Sequence, residues 1–118
     1  MQDRPIIRTA LPRRRYQIGD YAATLLGEIE SGDGRDYRFI LALVPGNGGE
    51  PVCYVTCEAA PPARAASGAW DLRVVSEALT EVMDSADHWA DLDHFAEQGL
   101  DLARQLLGLG HAPAFKLQ

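Results

Sequence analysis

From Tyr16 to about Glu58, apolar side chains recur at every second position in three runs, and two glycine-rich segments separate the runs. After Asp87 the spacing changes to three and four. A period of two belongs to a pleated strand buried on one face, and a period near 3.6 to a helix buried along one stripe. The expected fold class is therefore α+β, with an antiparallel meander sheet of three or four strands packed against a long C-terminal helix. One core of this kind suits 118 residues, 47 % of them hydrophobic and 24 % charged.

The first extended run begins near Tyr16. Its alternation shifts by one residue at Gly19-Asp20, which is the signature of a β-bulge. Ser31-Gly32-Asp33-Gly34 and Pro45-Gly46-Asn47-Gly48-Gly49 read as turns. Between them Tyr37 to Val44 carries Tyr37, Phe39, Leu41 and Leu43 on one side and turns apolar on both sides in its second half, as a central strand does. Pro51 to Glu58 is a third strand. Residues 70–83 match two templates. Trp70 to Val74 alternates as a fourth strand would, whereas Leu72, Val75, Leu79, Val82 and Met83 also fit a helical stripe. From Asp87 to Leu109 the spacing predicts a helix with Leu92, Phe95, Gly99, Leu102 and Leu106 facing the core. Its first turns hold Asp87, Asp91 and Asp93, its end holds Arg104, and Gly108 or Gly110 stops it. Gly99 on the buried stripe costs about 1 kcal/mol against alanine, which calls for a close approach of helix to sheet.

The domain organisation follows. Residues 1–14, with Pro5 and Pro12, read as a basic N-terminal arm, 15–110 as a single α+β domain and 111–118 as a C-terminal tail. Charge divides along the same lines. Residues 1–15 carry five arginines against Asp3, while the other 103 residues carry six positive and sixteen negative groups. An acidic body repels nucleic acid and anionic membrane at long range. The chain shows neither a cleavable leader nor an apolar run of spanning length, and its two cysteines are too few for a disulfide framework. A soluble, reduced, cytoplasmic protein is the expectation. Ten arginines and seventeen alanines against one lysine point to a GC-rich, bacterial source.

Motifs that carry chemistry are sparse. Cys53 and Cys57 share a strand face with Cα atoms roughly 13 Å apart, too far to bridge, so they read as small buried hydrophobes. Asp84 to His94 gathers four aspartates besides His88 and His94, a set that can hold a divalent ion or trade protons, but without metal-ligand spacing it reads as a solvated helix start. The glycine segments precede strands, not helices, and cradle no phosphate. No nucleophile motif is present, and no catalytic residue, metal or cofactor is assigned.

One helix covers one face of a sheet. The second face then calls for another helix or a partner, and a two-fold homodimer through the sheet is the simplest solution. The leading expectation is a small noncatalytic interaction or adaptor module, homodimeric, that binds an unidentified protein or peptide through Arg13, Arg14, Arg15, Tyr37, Phe39 and Tyr54. The alternative is a small-ligand-binding domain or weak enzyme with a pocket between sheet and helix, lined by Tyr54, Trp70, Trp89 and Phe95, with His88 or His94 as its polar group. A further alternative is nucleic-acid contact through the arginine arm, with Tyr16 stacking on a base.

Overall fold

The computed structural model describes residues 1–64, 66 and 68–117. Seven strands form one antiparallel sheet: β1 Ile7–Ile18, β2 Tyr21–Ser31, β3 Tyr37–Pro45, β4 Cys53–Ala59, β5 Trp70–Ser76, β6 Thr80–Ala86 and β7 Ala114–Leu117. A 3-10 turn at Asp87–Ala90 leads to helix α1, Leu92–Leu107. The strand order is β6-β5-β4-β3-β2-β1-β7, so the first six strands meander and the last returns to the far edge beside β1.

The α+β class stands, but the sheet is larger than three or four strands. Each extra strand has a physical reason. Gly19-Asp20 is a hairpin turn rather than a bulge: Ile18 pairs with Tyr21, and Gly19 carries the positive φ of 55° that the first turn position needs. A two-residue turn puts residues three apart on the same face, which shifts the alternation by one just as a bulge does. The segment read as an arm supplies most of β1, because Pro12 and the arginines sit on an edge, where a proline costs no ladder bond. Residues 70–86 form the β5–β6 hairpin, closed by Ser76, which exchanges hydrogen bonds with Leu79.

Helix α1 covers one face. Ile18, Leu25, Leu41, Leu43, Val55, Leu72 and Val74 point at it, and Phe95, Gly99, Leu102 and Ala103 point back. Asp91 stays extended and caps the helix by accepting the His94 amide, so α1 starts later than its apolar period suggests. Gly108, at φ 65°, ends it in the left-handed conformation. A Cβ on Gly99 would stand 3.3 Å from Leu41 Cδ2, which is the close approach that its place on the buried stripe requires.

The second face is covered by the chain itself. Tyr37, Ile40, Ala42, Tyr54 and Val75 form a second apolar cluster, and Met1, Ile7, Leu26 and Ile29 pack on it. Residues 1–6 are tied down along this face. The Met1 amino group lies 2.6 Å from Glu77 at the β5–β6 turn, Arg4 pairs with Glu50, and the Ile6 amide donates to Asp33 at the β2–β3 turn. Ile40 and Val75 are fully buried as a result. Beside this cluster lies a buried polar row. Glu58 accepts from Arg73 Nε at 3.0 Å, Arg35 Nη1 at 2.6 Å and Thr56 Oγ1 at 2.8 Å.

Candidate interaction surface

The residues singled out in the sequence are distributed over both faces and one edge. Arg14 bridges to Asp93 at the start of α1 at 2.5 Å and donates to the Tyr16 hydroxyl at 3.4 Å; these two hydrogen bonds raise its pKa above the ordinary value. Arg13 and Arg15 are exposed and make no ion pair with any described residue. The stem of Arg13 lies over Gly27, where a Cβ would meet Arg13 Cγ at 3.0 Å.

Tyr37, Phe39 and Tyr54 are buried inside the monomer. Tyr37 donates to Asp33 at 2.7 Å; burial first, then that bond to a carboxylate, raises the phenol well above its usual range. Phe39 stacks on Phe95 with ring centroids 5.4 Å apart. Tyr54 belongs to the second face, so it cannot share a pocket with Trp89 and Phe95 on the helix face. Phe95 fills the space between sheet and helix, and Trp89 donates to Asp84 at 3.2 Å. His88 and His94 stand outside, their rings 5.4 Å apart, with His94 Nδ1 2.9 Å from Asp91 Oδ2. The His94 amide, then its ring, hold the Asp91 carboxyl below its ordinary range. Among the described residues no group of three or more His, Cys, Asp or Glu side chains is placed to hold a metal. Burial raises the Cys53 thiol to about 11 and the Cys57 thiol to about 12, which suppresses the thiolate that nucleophilic chemistry needs.

Arg13, Tyr37, Phe39 and Trp70 do meet, at a cleft of about 440 Å³ beyond the start of α1. Arg38, Glu28, Asp36 and Asp91 also line it. Arg38 is already engaged: its Nε donates to the Ala90 carbonyl at 3.3 Å and its guanidinium lies 5.4 Å from the Phe39 ring. Two guanidiniums against three carboxylates leave the cleft close to charge balance, with one net negative charge.

The unsatisfied features lie on the two sheet edges. β7 covers only Arg15 to Ile18 of β1. The free stretch of β1 is guarded by Pro12 and by three register shifts, the devices that blunt an edge. β7 has neither, and its outward ladder is free, with Phe115 61 % and Leu117 44 % exposed and Lys116 between them. At the opposite edge β6 has no neighbour beyond it among the described residues and contains no proline; one register shift leaves Met83 unpaired, and Met83 and Glu81 are exposed. The residues Leu11, Phe115, Lys116, Leu117, Glu81 and Met83 are absent from the sequence-based candidates. The only signal for β7 is the three-residue alternation Phe-Lys-Leu after Pro113, too short to separate from a tail.

Comparison with known proteins finds no family, no curated protein and no solved structure that matches this chain. No described helix is long and apolar enough to cross a membrane.

Proposed function

We propose that the protein is a noncatalytic interaction module that works through its sheet edges, and that its basic edge takes an extended, acidic protein segment. The observation that supports this reading is the outer ladder of β7, where Phe115 and Leu117 flank Lys116 and the exposed Arg15 of β1 stands opposite Leu117. Main-chain bonds to such an edge give affinity, and alternate side chains give selectivity. The buried second face makes the sheet face a poorer candidate than it looks from composition. Tyr37, Phe39 and Tyr54 then act as scaffold rather than as contacts. Nucleic acid has less support, because Arg14 is engaged by Asp93 and the acids of the body oppose a polyanion.

The test is fluorescence anisotropy with a labelled peptide of alternating glutamate and valine. Binding at low ionic strength that weakens with added salt and drops at least about tenfold in R13E/R15E/K116E is expected. Absence of binding, or equal binding by the variant, overturns the reading.

A further inference from the structure

Between Ile6 and Ile18 the chain has four arginines and no acid, whereas between Val74 and Ala103 it has eight acids and neither lysine nor arginine. Of the acidic stretch, Glu77, Glu81 and Asp84 lie on β6 and the turn before it, which the meander sends to the margin opposite β1 and β7, whereas Asp93 at the start of α1 reaches back to Arg14 on β1. Seven strands at about 4.8 Å spacing place the margins about 29 Å apart. Each margin ends in a free ladder. The acidic one exposes Met83 beside Glu81, and the basic one exposes Phe115 beside Lys116.

From this complementarity we infer that the acidic extended segment taken by the basic edge is β6 of a second copy, in a head-to-tail contact that continues the sheet from β7 of one molecule into β6 of the next. The inference rests on the edge-binding reading above. A like-with-like contact would bring two acidic or two basic edges together, which the heterologous contact avoids. The contact is heterologous, so it can repeat. The net charge of −6 opposes approach of whole molecules. At about 0.1 M salt the Debye length is about 10 Å, so this distant repulsion is screened while charges across adjacent strands are not. Association is therefore strongest near that ionic strength and falls at both extremes.

Sedimentation velocity over a range of protein concentration and salt tests the inference. The wild type is expected to exceed its monomer mass of 12.9 kDa in a concentration-dependent way, most strongly near physiological salt. Because the altered side chains are exposed, E81R/M83R and F115E/K116E are expected to fold as the wild type does and each to remain monomeric alone. Mixed in equal amounts they offer one intact pair of edges and one charge-swapped pair, and a return of concentration-dependent association is expected. Self-association of either variant to the wild-type extent, or a mixture that stays monomeric, overturns the inference. So does a wild type that is monomeric throughout. Should an edge variant unfold, the salt optimum of the wild type still decides the matter: association that rises or falls monotonically with salt contradicts it. If copies stay apart while the glutamate–valine peptide binds the basic edge, only this inference fails. If that peptide does not bind, the broader reading fails with it.

Discussion

Asp33 shows how one carboxylate can serve two structural purposes. It anchors the N-terminal segment through the Ile6 amide and holds Tyr37 by its hydroxyl. Burial pushes its pKa up, but the bonds from Tyr37 and from the Arg35 and Ile6 amides outweigh this and leave it below the ordinary 3.8. A lowered folded-state pKa contributes stability above the unfolded value, and that contribution is lost as pH falls through the folded one. Asp33→Asn is therefore expected to lower the urea midpoint at neutral pH, with the gap to the wild type closing progressively as pH falls below about 4. Glu58 is the harder case, because it is the charged partner of a buried arginine whose Nη2 has no partner of its own. Glu58→Ala strands that charge and is expected to cost about 3–5 kcal/mol in urea unfolding. Glu28 sits at φ 47°, a conformation that favours glycine. Glu28→Gly is expected to be neutral or stabilising by up to about 1 kcal/mol, read from the thermal midpoint.

Most of the elements were legible where burial enforces a period. The central strands and the helix could be read because Leu41, Leu43, Val55 and Phe95 must all face one core. Legibility failed at the edges for the opposite reason: half of β1 and all of β7 bury little, so Arg8, Arg13, Phe115 and Lys116 obey no alternation that burial imposes. The turn at Gly19-Asp20 failed differently, since a tight hairpin and a bulge leave the same phase shift in a sequence. The cover of the second face was not legible at all, because an irregular segment has no period. Removing residues 1–5 is expected to uncover Tyr54 and Val75, raise the fluorescence of a bound hydrophobic dye and destabilise the fold by at least about 2 kcal/mol. Gly99→Leu, driven into Leu41, is expected to cost about 1–3 kcal/mol by overpacking.

Over the whole chain, the sequence shows a basic start and an acidic remainder, but not where the fold puts them. Only the strand order places positive charge at one margin of the sheet and negative charge at the other. The surplus of apolar surface over what one helix shields is real, and Met1 together with Ile7, Leu26 and Ile29 of β1 and β2 covers it. The reason to expect a face-to-face dimer is thereby removed, and two polar-flanked ladders remain as the open features. Amide hydrogen exchange at micromolar and at millimolar protein concentration separates the possibilities. Protection gained with concentration at β6 and β7, with residues 1–6 and Tyr54 unchanged, is the expected result. Protection gained instead across the second face, with residues 1–6 exchanging faster, would contradict an account built on edges.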